Sequence, residues 1–374
     1  MIIFLLTFLF LYGGINYYAF FRADSVFHFS TGIKIVLLIV LAILIGAPIL
    51  VRMAESRNLE ALARVIAYAG YIWMAFVFLF FILNISFELI RCLYKFWHPA
   101  ASPVLLRTPA FGLAALIAAG LVVYGYIDAQ RIRVKNLEIA TQQIFPGSGK
   151  LRIVQISDVH VGLIIKEKRL QLLLDKIRGA DPDILVSTGD LLDGELNNVK
   201  ALAELLAQIK PKFGKYAVTG NHEYYAGIEK SLEFTRQAGF TVLRDEIKQV
   251  AGINIAGVDD ITGRRSGIVH ENSRLTQAMP PIQNDKFVLL LKHQPYINDQ
   301  DNFDLQLSGH THGGQIFPFR LVTGLYFKNN YGHYELGKNK RLYVSRGVGT
   351  WGPPVRIFAP PEITVIDLIG KKAT

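Results

Sequence analysis

The chain has 374 residues, 51% of them hydrophobic, with a mean hydropathy of +0.30 and a formal net charge of +10. That apolarity excludes an ordinary soluble protein. The basic excess is 12 Lys+Arg against 6 Asp+Glu in residues 1–150 and 28 against 24 in the rest; it forms no basic stripe interleaved with aromatics, so no nucleic acid is expected as a partner.

Four apolar runs come first. Met1 to Phe21 is 21 residues without a charge, Ile35 to Val51 is 17, Val65 to Phe87 is 23 and Thr108 to Ile127 is 20. A membrane span needs roughly 20 apolar residues. Three runs reach that length, and Lys34 and Arg52 can snorkel to the two surfaces to complete the shorter one. Residues 1–127 are therefore expected to be a four-span transmembrane region. The first run lacks the basic start and small-residue cleavage site of a signal peptide, so it is read as a span that stays. Four spans put the N-terminus and the following domain on one side, with Arg52, Arg57, Arg131, Arg133 and Lys135; Arg22, Lys34, Arg91 and Lys95 fall on the other. This charge balance leaves the side open. The single cysteine, Cys92, excludes an intramolecular disulfide.

Residues 128–150 read as a connector, closed by the turn chemistry of "FPGSGK" at Phe145 to Lys150. Residues 151–374 read as a domain. "LRIVQIS", "DILVSTGD" and "YAVTGNHE" are short apolar strands, separated by the helical periodicities of "KEKRLQLLLDKIRG" and "NNVKALAELLAQI" and followed by "IEKSLEFTRQAG". After Thr241 strands dominate: "INIAGVDD", "KFVLLLKHQP", "FDLQLSGHTH", Gly-rich hairpins and "EITVIDL". An α/β half followed by a strand-rich half fits two packed sheets flanked by helices.

Five polar clusters each follow one of these strands: Asp158 with His160; Gly189-Asp190; Gly220-Asn221-His222-Glu223; His293; and His310 with His312. Ligands of α/β folds gather at carboxyl ends of strands. Period-2 alternation lets Asp158 and His160, and likewise His310 and His312, point into one site. Imidazoles, carboxylates and an amide without a thiolate suit Mn, Fe or Zn in a reactive site. The set exceeds what one ion needs, and a shared carboxylate would hold two divalent ions about 3.5–4 Å apart. One ion would activate a water or hydroxide while both clamp phosphate oxygens. Asp193 and Glu223 are candidates to hold the histidines in one tautomer, or else a cap and a turn residue. His270 and His333 fall outside the motifs and are expected at the surface.

"DVH", "GD", "GNHE", "H" and "GHTH" in this order resemble the calcineurin-like metallophosphoesterases, over about residues 150–368. "GHTHGGQI" and "YVSRGVGTWGPPVRIFAPPEI" are most similar to the membrane-associated, YkuE-like branch. The resemblance implies a four-layer αββα sandwich. It also implies that Asp158, His160 and His312 bind one ion, that Asn221, His293 and His310 bind the other, and that Asp190 bridges. His222 would protonate the leaving alkoxide or steady the phosphate.

The expected activity is hydrolysis of a phosphate ester (diester, pyrophosphate or monoester) by a metal-dependent enzyme of a bacterial inner membrane. A phospholipid or lipid-linked diphosphate is one candidate substrate. Arg264 and Arg265 in "GRR" could grip a second phosphate, and the apolar loop "GGQIFPFRL" with Arg320 could dip toward headgroups; as ordinary structure these are a solvated turn and a packed hairpin. The competing reading is a receptor or transporter with the domain as sensor or regulator. Ionisable residues inside the runs would favour it, but only Asn16 and Asn84 interrupt them.

Overall fold

The computed structural model describes residues 2–99, 107–144, 149–194, 199–267, 286–298, 301–337 and 339–371; His270 lies outside them. Two compact units divide the chain: residues 1–127 with Gly352–Val355, and residues 128–351 with 356–374.

The first unit is helical. α1 (Ile2–Phe27), α2 (Thr31–Ile45), α3 (Ala47–Glu55), α4 (Glu60–Trp97) and α5 (Arg107–Ala129) follow the apolar runs. Among the described residues, α4 and residues 108–129 of α5 are long and apolar enough to cross a membrane. α2 and α3 together form a third candidate, bent by 55° at Gly46. Proline near the start of α3 fixes the break, because it offers no N–H to continue the helix. Small residues let α3 and α4 approach closely: a Cβ on Gly70 would collide with Ala47. The two amides have partners inside the unit. Trp73 Nε1 donates to Asn16 Oδ1 at 2.7 Å, and Asn84 Nδ2 donates to the Phe80 carbonyl at 2.8 Å.

The second unit holds two six-stranded sheets. Its elements are β1 (Arg133–Ile144), β2 (Lys150–Ile156), α6 (Glu167–Ala180), β3 (Ile184–Ser187), α7 (Lys200–Ala207), β4 (Lys215–Ala217), α8 (Asn221–Tyr225), α9 (Ile228–Gln237), β5 (Thr241–Val242), β6 (Glu246–Val250), β7 (Ile253–Gly257), α10 (Ile261–Arg265), β8 (Val288–Leu291), β9 (Leu305–Ser308), α11 (Phe319–Tyr326), β10 (Gly332–Gly337), β11 (Lys340–Val344) and β12 (Glu362–Lys371). The sheet orders are β1-β12-β2-β3-β4-β5 and β10-β11-β9-β8-β7-β6.

Period-2 alternation sorts the core. Val154, Ile156 and Leu185 join α6 residues Leu170, Leu173 and Ile177 in one buried cluster. Ile153, Ile184 and Val186 point the other way and meet Ile255, Leu289 and Leu307 of the second sheet. Both faces of β2 and β3 are thus covered, which is why they read as nearly continuous apolar runs. A third cluster, with Val288, Leu290 and Phe303, lies on the far face of the second sheet. α6 forms because its leucines recur at helical spacing, and it stops at Asp181, whose φ of 48° is left-handed. Among the described residues no long helix covers the outer face of the second sheet.

Two segments differ from the expectation. The stretch read as a connector carries β1, which pairs in parallel with β12 from Arg133↔Glu362 onward. Among the described side chains of β1, Leu137 and Ile139 reach the core between the sheets, and the charged residues around them mask the alternation. The segment read as an apolar loop carries α11, an eight-residue helix with no buried side chain.

Candidate metal centre

Buried strand ends deliver the polar clusters. β2 ends at Ile156, β3 at Ser187, β8 at Leu291 and β9 at Ser308, all fully buried. The loops beyond them turn sharply. Asp158, His160, Asp190, His310 and His312 all have positive φ, between 50° and 72°. Such backbone costs of order 1 kcal/mol or more per non-glycine residue, and persists only where neighbours over-determine it. Here they do: Asp158 N donates to Gly189 O and His160 N to Asp190 O, each at 3.0 Å, and His310 N donates to Asp158 Oδ1 at 2.9 Å. The pairs Asp158/His160 and His310/His312 therefore lie beyond the strands, and left-handed turns rather than strand alternation aim their side chains. Two glycines make room: a Cβ on Gly220 would strike the Asp190 carboxylate, and one on Gly309 would strike Ser157 and Asp158.

Asp158, His160 and His312 form one group of converging ligand atoms. His160 Nε2 lies 3.1 Å from His312 Nε2, which is 3.5 Å from Asp158 Oδ1. Asp190, His293 and His310 form a second. His293 Nε2 lies 3.2 Å from Asp190 Oδ2, 3.2 Å from His310 Nδ1 and 3.1 Å from Asn221 Oδ1. Asp190 Oδ2 also stands 3.8 Å from His160 Nε2, so one carboxylate faces both groups. His310 and His312, neighbours in sequence, thus serve different groups.

A third grouping, His160, Asp193 and His222, reaches in from behind. Asp193 Oδ1 lies 3.2 Å from Nδ1 of His160 and 3.2 Å from Nδ1 of His222, and the Asp193 carbonyl is 3.0 Å from the latter. His160 Nδ1 stands beside the Asp193 carboxylate without a hydrogen-bond partner; the hydrogen bond is the one between the Asp193 carbonyl and His222 Nδ1, which orients the His222 ring. Thr188 O does the same for His293, 2.8 Å from its Nδ1.

The donor set fits a divalent cation. Imidazole nitrogens, carboxylate oxygens and an amide oxygen converge at 3.1–3.5 Å in a buried site, a concentration of lone pairs that needs positive charge between them. Burial, then the neighbouring His293, pushes His310 down to about 3. Burial and Arg356 also push His312 down. Neutral rings are the form that ligates a metal; at His293 burial is outweighed by Asp190, which raises the pKa, so that ring would have to give up its proton to a cation. Burial works against the Asp190 carboxylate, but His293 and His222 outweigh it and hold its pKa well below normal. Burial likewise opposes a charged His222, yet Asp190 and Asp193 draw its pKa up to about 10.

Glu223 is central but holds no imidazole. Its carboxylate accepts from the backbone N–H groups of Asp190 (3.0 Å), Leu191 (2.7 Å) and Gly220 (2.6 Å), pinning the loop that carries Asp190 to the start of α8. Arg356 is a residue that sequence reasoning missed. It is fully buried, and its Nη1 donates to the carbonyls of His312, Arg346 and Ala359, tying together the loops behind the His312 ring. Its signal was a lone arginine inside "PPVRIFAPP". The three arginines named as phosphate contacts stand outside the metal groups. Arg264 and Arg265 are exposed on α10, and Arg320 is exposed on α11 with its guanidinium 4.3 Å from the Tyr331 ring. His333 is exposed on β10.

A profile described as calcineurin-like phosphoesterase matches residues 151–314. An uncharacterised metallophosphoesterase of Aquifex aeolicus is 40% identical over 259 residues, covering 68% of this chain and 98% of that one. This chain belongs to the calcineurin-like metallophosphoesterases. Within that family it is also similar to the uncharacterised metallophosphoesterase YkuE of Bacillus subtilis, 33% identical over 69% of this chain and 93% of that one. A Danio rerio protein named transmembrane protein with metallophosphoesterase domain is 33% identical over 68% of this chain and 62% of its own length. The metallophosphoesterase therefore combines a metal-binding constellation with helices long enough to cross a membrane.

Proposed function

We propose that this chain is an integral-membrane phosphoric ester hydrolase with two divalent cations, Mn, Fe or Zn, in the site of Asp158, His160, Asp190, Asn221, His293, His310 and His312. The observation that carries the reading is the position of Asp190, whose Oδ2 faces His160 at 3.8 Å and His293 at 3.2 Å and so can serve both groups. Asp158, His160 and His312 would hold one cation, and Asn221, His293 and His310 the other. When bound, the cations polarise the phosphoryl oxygens and lower the pKa of a water. The protein's part is positional. Asp193 lies beside His160 and holds His222 by Nδ1, and the Nε2 of His222 would be left to give a proton to the departing alkoxide. The two packed sheets, with α6, α7 and α9 on the first, supply three layers of the proposed αββα sandwich behind the site. α1, the bent α2–α3 pair, α4 and α5 support four spans.

The receptor or transporter reading is less well supported. Asn16 and Asn84 are paired within the helices, as structural amides are, and line no described passage.

The test is metal analysis of the full chain purified in detergent, alongside hydrolysis of an aryl phosphodiester. The wild type should carry about two equivalents of transition metal and turn over. Chelation should stop turnover and Mn²⁺ should restore it. Asp190→Asn should lose both metal and activity. Active protein with no bound transition metal would refute the proposal.

A further inference from the structure

α11 leaves and re-enters the metal centre. It begins five residues after Gly314, which closes the turn carrying His312, and a Cβ on Gly314 would collide with the backbone of Arg320. It ends at Phe327, whose ring centroid lies 5.2 Å from that of His310. A helix so placed stands at the mouth of the site. Yet it buries none of its side chains: Leu321, Val322 and Tyr326 are exposed, and Leu325 is 89% exposed.

The same face continues beyond the helix. Phe317 and Phe358 stack edge to face at 5.9 Å, and both are exposed. Phe358 holds a left-handed φ of 56°, a strained conformation for a bulky residue, with its ring 63% exposed. Strain that presents an aromatic ring to solvent argues for an occupant. Trp351 extends the patch, held by reciprocal hydrogen bonds between its backbone and the Gln315 amide at 2.9 and 3.0 Å.

The charges carried by the segment around α11 have one sign. From Gln315 to Tyr334 the chain contains Arg320 and Lys328 and no Asp or Glu. Both cations line an open groove of about 560 Å³ beside α11, together with Leu321, Leu325 and Tyr331. A short apolar helix flanked by cations matches the boundary between acyl chains and anionic headgroups. The chain tethers the domain to a candidate span, since only three residues separate α5, which ends at Ala129, from β1, which begins at Arg133.

We propose that α11, with Phe317, Phe358 and Trp351, docks into an anionic phospholipid surface, and that Arg320 and Lys328 receive lipid phosphates beside the metal centre. The substrate class that follows is a phosphoester borne by a lipid; that part rests on the phosphohydrolase reading, whereas the docking does not.

The test uses the full chain in lipid nanodiscs, in a Cys92→Ser background, with an environment-sensitive fluorophore on Leu325→Cys. The control carries it on Lys248→Cys, exposed on β6 at the other edge of the same sheet. Nitroxide-labelled lipids should quench the 325 label several-fold more than the 248 label in phosphatidylglycerol-containing discs. The difference should shrink in purely zwitterionic discs and with Arg320→Gln plus Lys328→Gln. Equal quenching at the two sites overturns the proposal. So does shielding of the 325 label from iodide without lipid quenching, which would show a protein partner or a second copy on the helix. Because the readout is independent of turnover, an inert metal centre with a lipid-quenched label would sink the hydrolase reading and leave the docking intact.

Discussion

Substituting His222 by Gln removes the proposed proton donor while sparing the groups proposed to hold the cations. The expected loss is about 10²–10⁴ in turnover for an alkyl phosphodiester, with metal content unchanged. It should be much smaller for a p-nitrophenyl ester, whose leaving group needs no proton. An equal loss on both substrates would mean that His222 steadies the phosphate instead. Gly220 offers a complementary test. Ala at this position meets the Asp190 carboxylate, so Gly220→Ala should release metal even though it adds one methyl group and changes no ligand. Elemental analysis of the purified variant checks it. The candidate ligand positions stand out in the chain because each follows an apolar run and the residue types are few. Their backbone does not: nothing in "DVH" announces that Asp158 and His160 both turn left-handed, since that depends on hydrogen bonds to Gly189 and Asp190 more than twenty residues away.

The loop after β3 and the helix α8 are joined by Glu223 more than by apolar contact. Glu223→Gln replaces a two-oxygen acceptor by a one-oxygen one, leaving buried N–H groups of Asp190, Leu191 or Gly220 unpaired at about 1–3 kcal/mol each. A lowered thermal midpoint of the full chain in detergent, together with weakened metal retention, is the expected result. β2 and β12 are also linked by charge: Arg152 Nε lies 2.9 Å from Asp367 Oδ1, and Lys150 pairs with the other oxygen. Burial opposes the Asp367 carboxylate, but Arg152 and Lys150 prevail and lower its pKa. A depressed carboxylate contributes stability that is present above its unfolded value, about 3.9, and lost as pH falls through the folded one. Asp367→Asn should therefore flatten the stability profile below about pH 4, and acid titration of the thermal midpoint checks it. The interior strands β3 and β8 were legible because both faces are buried and the sequence is apolar throughout. β1 was not, since only alternate residues meet the core and "RVKNLEI" reads as polar. α11 was missed because a proline, a glycine and three aromatics within and beside it suggest a loop.

The number of spans decides which compartment supplies the metal and the substrate. On the proposal that α1 also crosses, a crossing α2–α3 pair makes four spans and leaves residue 1 and the second unit on one face; a re-entrant pair puts them on opposite faces. Protease accessibility of epitope tags at Met1 and Thr374 in sealed, oriented vesicles distinguishes the two, and the four-span proposal predicts co-accessibility. The two-unit organisation was legible from hydropathy alone, and the family from five short motifs. The support behind His312 was not, because a buried Arg356 looks in sequence like any surface arginine. One aspect of strand order bears on how such a molecule is made. β12 is the last strand in chain order but sits second in its sheet, between β1 and β2. The ribosome must therefore translate every ligand, from Asp158 to His312, before the sheet that seats Asp158 and Asp190 can close. The helices toward the N-terminus emerge first and can already be lodged in the bilayer. On the two-cation proposal, loading is then an event after synthesis, drawn from whichever ion pool the finished domain meets.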